Sequence, residues 1–75
     1  LDDLDYWNRT NKRVSERIAR LIADILDHPF SGIGKPEPLR HQLVGYWSRR
    51  ITGEHRLVYR VAGDTVYIAQ CRFHY

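Results

Sequence analysis

Seventy-five residues with a hydrophobic fraction of 43% are enough for one small domain with a core, and too apolar for a disordered chain. One cysteine, Cys71, excludes an internal disulfide and fits a reducing compartment, while the lack of a long apolar run or signal peptide points to the cytoplasm and away from membranes. The net charge of +3 is uneven: residues 1–34 carry five Lys/Arg against six Asp/Glu, and residues 35–75 carry seven against three, so an anionic partner belongs to the second half.

In chain order, the first 28 residues read as helix. A short first piece holds Leu1, Leu4, Tyr6 and Trp7, and Thr10-Asn11 can break it and cap a second helix. From Lys12, the apolar positions Val14, Ile18, Leu21, Ile22, Ile25 and Leu26 recur at helical spacing and define one stripe. His28-Pro29 ends it, because a residue before proline is pushed out of the α region. Residues 29–46 read as a loop in which Pro29, Gly32, Gly34, Pro36 and Pro38 forbid a long helix or a central strand. Glu37 sits between two prolines, which stiffen the backbone on both sides of its carboxylate. The plain alternative is a rigid surface turn bearing a solvated acid.

From Tyr46 the pattern shifts to period two. Residues 47–51, 55–61 and 65–73 are expected strands, joined by turns at Thr52-Gly53-Glu54 and Ala62-Gly63-Asp64. On the middle strand Leu57, Tyr59 and Val61 form the apolar face, and Arg56, Val58 and Arg60 a basic, open one. Helices against such a meander make an α+β domain spanning residues 1–75.

RNA carries its own nucleophile, the 2′-OH, so its cleavage needs only a base, an acid and cations at the phosphoryl oxygens. Glu37, His74 and Arg56 are residues of those types. Arg40, His41, Arg49, Arg50 and Arg72 are candidates for gripping the backbone, and Tyr46, Trp47, Phe73 and Tyr75 for stacking on bases. Each also has a plain reading. Tyr46 and Trp47 suit a core, His41 and His55 suit structural or surface roles, and the arginines suit a solvated face. His74 suits a frayed end. No His or Cys pair stands at metal-ligand spacing and no carboxylate cluster is present, so neither a metal nor another cofactor is expected. Residue types alone lead no further than a basic α+β domain with affinity for RNA.

The segments PFSGIGKPEPL (29–39), GYWSRRI (45–51), EHRLVY (54–59) and CRFHY (71–75), together with DYWNRTNKR (5–13), closely resemble the Txe/YoeB toxins of bacterial toxin–antitoxin systems, within the RelE-like group. The resemblance spans essentially the whole chain. It implies a RelE-like fold of N-terminal helices on a small antiparallel sheet, and an endoribonuclease that cleaves mRNA in the A site of the 70S ribosome. It also implies inhibition by a YefM-like antitoxin and a homodimer. Carried over by matching residues, the general base is Glu37, the transition-state arginine Arg56, the general acid His74 and the substrate-orienting tyrosine Tyr75. Arg40 and Arg50 match the residues that hold the mRNA, with lysine common in the family where Arg40 stands. The family's short first strand has no counterpart, and the chain has no methionine, so a segment is expected upstream. The rival expectations are a non-catalytic RNA- or ribosome-binding module and a protein-interaction subunit of a repressor.

Overall fold

The computed structural model describes residues 2–73. Two helices, α1 (Asp2–Thr10) and α2 (Lys12–Asp27), precede a four-stranded antiparallel sheet of β1 (Glu37–Pro38), β2 (Trp47–Arg50), β3 (Arg56–Ala62) and β4 (Thr65–Gln70), in the spatial order β1-β2-β3-β4. A single 3-10 turn, His41–Leu43, lies between β1 and β2.

The helices form where capping and periodicity require them. Asn11 is the extended N-cap of α2, and its Oδ1 accepts from the Val14 amide at 3.2 Å. That bond satisfies one of the first-turn N–H groups that have no helical partner. Val14, Ile18, Leu21 and Ile25 are buried along one face of α2, whereas Leu26, expected on the same stripe, is 60% exposed. The stripe is therefore narrower than its sequence suggests. It packs on Ile51, Leu57, Tyr59 and Cys71 of the sheet side, and Trp7 of α1 closes the same cluster. Removing a buried side chain here, as in Leu21→Ala, costs roughly 2–5 kcal/mol.

The loop expected over residues 29–46 is interrupted by β1 and by the 3-10 turn. Prolines permit this strand because it has two residues and lies at the edge of the sheet, where a missing N–H leaves no neighbour unpaired. β2, β3 and β4 form the expected meander. The last strand ends at Gln70 rather than Phe73. A bulge between Val58 and Tyr59 shifts the register so that Val58 faces Gln70 and Tyr59 faces Ile68. Such a bulge re-aims the chain beyond it, and residues 71–73 leave the ladder there. The basic face of β3 is also less open than expected, since Val58 is 1% exposed.

Candidate active site

Glu37, on the edge strand, pairs with Ser48, which pairs with Val58 of β3; Arg50 faces Arg56 two positions along. Period-two alternation therefore puts Glu37, Ser48, Arg50 and Arg56 on one face of the sheet, opposite the helices. There Arg56 Nη1 lies 3.3 Å from Glu37 Oε1 and donates to Ser48 Oγ at 3.5 Å. The guanidinium side chain is 14% exposed and the carboxylate 52%. A half-open ion pair of this kind contributes little to stability, but it orients an acceptor and a planar donor toward the same outer space.

Arg40 and His41 line an open hollow of about 560 Å³ together with Glu37, Pro38, Leu39 and Leu43. The backbone there is constrained. Lys35 (φ 52°) and His41 (φ 57°) adopt left-handed conformations on either side of the Glu37 segment. Each costs an L-residue about 1–2 kcal/mol.

The sequence-expected grip Arg49 requires a correction. Its side chain is fully buried and all five of its N–H donors are used. Nε donates to Tyr59 Oη, Nη1 to Asp24 Oδ2 (2.5 Å) and the Ile33 carbonyl, and Nη2 to the His28 and Ser31 carbonyls. Tyr59 Oη in turn donates to the Pro29 carbonyl at 2.7 Å. Arg49 is thus the internal tie of the 28–33 loop that leads into Lys35-Pro36-Glu37, and no phosphate can reach it. Hydrogen bonds from Arg49 and the Ile33 amide hold the Asp24 carboxyl below its ordinary value.

Arg72 is also differently placed. Its guanidinium stacks 3.6 Å over the Tyr6 ring of α1 and lies 4.7 Å from Phe73, with Nε buried and lacking a hydrogen-bond partner. Arg50 is exposed, and its carbonyl accepts from Arg17. Trp47 is half-buried against Phe30, with ring centroids 4.9 Å apart.

Residues 71–73 are held from several sides. The Cys71 amide donates to Asp3 Oδ2 at 3.1 Å, and Trp7 Nε1 donates to the Cys71 carbonyl at 2.8 Å. Burial, reinforced by the charge of Asp3, pushes the Cys71 thiol up to about 12, so it is no nucleophile near neutral pH. The Phe73 amide donates to His55 Nδ1 at 2.7 Å, and its carbonyl accepts from the Arg56 amide at 3.0 Å. Phe73 itself is left-handed (φ 62°). His74 and Tyr75 lie outside the described residues. Sequence reasoning gave Ser48 no role; it read His55 as a structural or surface group and Trp7 as an apolar position of the first helix, without their links to the tail. Alternation along β2 puts Ser48 on the face of Arg50, which is the signal that could have found it, whereas the links from His55 and Trp7 to the tail had no signal in spacing.

Among the described residues no group of three or more His, Cys, Asp or Glu side chains gathers at metal-binding distance, and no helix is long and apolar enough to cross a membrane. Fold and site together define a small α+β domain that presents a carboxylate and a guanidinium from separate strands on one outer sheet face. The chain belongs to the YoeB-like toxins of bacterial type II toxin–antitoxin systems, whose family model matches residues 1–75. It is 58% identical over 74 residues to Toxin YoeB of Escherichia coli strain K12, covering 99% of this chain and 88% of the relative. Toxin RelK of Mycobacterium tuberculosis H37Rv is 53% identical over 74 residues, covering 99% of this chain and 87% of the relative. The solved YoeB/ParE toxin from Agrobacterium tumefaciens superposes with a TM-score of 0.96 at 54% identity, over 99% of this chain and 88% of that one. The YoeB-YefM complex from Staphylococcus aureus gives 0.93 at 44%, over 99% and 86%. These likenesses accord with the RelE-like architecture expected from the sequence.

Proposed function

We propose that the chain is an mRNA endonuclease acting in the ribosomal A site by acid–base catalysis without a metal. The observation that carries this reading is the Glu37–Arg56 pair, with the last described residue, Phe73, bonded to the backbone amide of that same Arg56. The next two residues in the sequence are His74 and Tyr75.

In this scheme Glu37 takes the proton from the 2′-OH, and the 2′-oxygen forms a bond to phosphorus. The bond from phosphorus to the 5′-oxygen breaks as His74 protonates that oxygen. Arg56 stabilises the charge that builds on the phosphoryl oxygens, a planar donor being suited to two of them at once. Tyr75 orients the substrate. The products are a 5′-hydroxyl and a 2′,3′-cyclic phosphate, which water can open to a 3′-phosphate. Arg40, His41 and Arg50 contact the RNA, the first two from the hollow beside Glu37 and Arg50 from the row of Arg56. The reaction takes place in the cytoplasm, where a YefM-like antitoxin restrains it and a homodimer forms. Support for both partners comes from the S. aureus relatives, solved as a YoeB-YefM complex and as a YoeB dimer.

Mapping of 3′ ends on ribosomes programmed with a defined mRNA tests the reading. A general base contributes roughly 10²–10⁴ to the rate, so Glu37→Ala is expected to lower single-turnover cleavage by that factor while ribosome binding persists. Intact mRNA with the unaltered protein would leave the non-catalytic binding module as the better description.

A further inference from the structure

The chain ahead of His74 turns at Phe73 through a left-handed conformation that an aromatic residue rarely adopts. Its ring is 52% exposed and lies against the guanidinium of the preceding residue, Arg72. What holds the turn is a bond on either side: the Phe73 carbonyl on the Arg56 amide, and the Phe73 amide on His55 Nδ1 at 2.7 Å. The second bond comes from a side chain and is therefore replaceable. A backbone N–H only donates, so Nδ1 must be the bare nitrogen and the imidazole proton must sit on Nε2, which lies 3.3 Å from Glu54 Oε1. The ring is fixed in that orientation by edge contact with Trp7 (centroids 4.8 Å apart, planes at 77°) and by contact with the Phe73 ring (5.4 Å). Trp7 is meanwhile bonded through Nε1 to the Cys71 carbonyl. One aromatic of α1 therefore holds both the tail and the imidazole that receives it.

We propose that His55 is a positioning residue for catalysis: its unprotonated Nδ1 holds the Phe73 amide and thereby sets the direction in which the chain enters His74 and Tyr75. This rests on the proposed roles of those two residues. His55 touches neither substrate nor reacting atoms; it acts through the Phe73 backbone. Catalytic placement is sensitive on this scale, since a shift of about 1 Å costs roughly 100-fold in rate.

Two substitutions separate the hydrogen bond from the ring's packing. In His55→Asn the Oδ1 atom occupies the place of Nδ1 and can accept from Phe73, whereas in His55→Gln the amide is one carbon further out. Both lose the imidazole ring. Single-turnover cleavage on programmed ribosomes is expected to fall roughly 10–100-fold in His55→Gln at unchanged half-saturation, and to recover to within about threefold in His55→Asn. Amide exchange gives a readout independent of activity: Phe73 should be protected in the unaltered protein and in His55→Asn, and unprotected in His55→Gln. If both variants unfold, imidazole nitrogen NMR of the unaltered protein decides, a bare Nδ1 with a protonated Nε2 supporting the role and the reverse overturning it. Equal activity of the Asn and Gln forms, or equal Phe73 protection in both, overturns it as well. Absence of cleavage by the unaltered protein instead contradicts the nuclease reading, and the exchange pattern then still decides whether His55 holds the tail.

Discussion

At the scale of single residues, the outcome turns on which guanidinium is satisfied inside the fold and which faces outward. Arg49 and Arg50 are adjacent, yet alternation sends one into the protein and the other to the Arg56 row. Arg49 ties three loop carbonyls, and a buried carbonyl left without its donor costs about 1–3 kcal/mol. Arg49→Lys, with three donors and no fork, is expected to lose roughly 3 kcal/mol of unfolding free energy in urea; a loss below about 0.5 kcal/mol would mean that the loop finds other donors. Asp24 adds a pH dependence. Its folded-state value is depressed below 3.8 by Arg49 and the Ile33 amide, so its stabilising effect is fully present above that value and is lost as pH falls through the folded value. Urea midpoints should therefore drop below about pH 4, and the gap between the unaltered protein and Asp24→Asn should close there. A gap that stays constant down to acid pH contradicts this role.

At the scale of elements, the 28–36 segment is shaped by close approach. Gly34 has φ +79°, and a Cβ there would lie 2.8 Å from Leu21 Cδ2 and 3.2 Å from the Arg50 carbonyl oxygen. Its carbonyl also accepts from the Arg50 amide at 2.6 Å, which ties the segment to β2. Left-handed strain and overpacking together predict that Gly34→Ala destabilises by about 2–4 kcal/mol, read as a shift of the urea midpoint; a neutral substitution would show that the segment can move off α2. This is also where sequence reading was least complete. The helices were legible because Asn11, the apolar stripe and His28-Pro29 are local signals. The meander was legible because its turns and alternation are local too. β1 was not, because Glu37-Pro38, a two-residue piece that includes a proline, becomes a strand only through the neighbour that pairs with it. The burial of Arg49 was equally hidden, since it depends on loop carbonyls 16 to 21 residues earlier. Glu37 and Arg56 were nameable as chemical types, while their proximity is set by the β1–β2–β3 register.

At the scale of the whole molecule, two parts of the chain meet from opposite directions. The loop tied by Arg49 delivers Glu37 to the sheet edge, and the tail held by Trp7, Asp3 and His55 is delivered to Arg56. The proposed division of labour, with Glu37 as base and His74 as acid, can be read by changing the leaving group. A thiolate leaves without protonation, so an mRNA with sulfur in place of the scissile 5′-oxygen bypasses the need for an acid. The most direct measurement is single-turnover cleavage of this substrate and of ordinary mRNA on programmed ribosomes by the unaltered protein, Glu37→Ala and His74→Ala. On ordinary mRNA both variants should be slower by roughly 10²–10⁴. On the sulfur substrate His74→Ala should regain nearly the unaltered rate while Glu37→Ala stays slow. An equal defect of His74→Ala on both substrates, or rescue of Glu37→Ala by sulfur, would contradict the assignment.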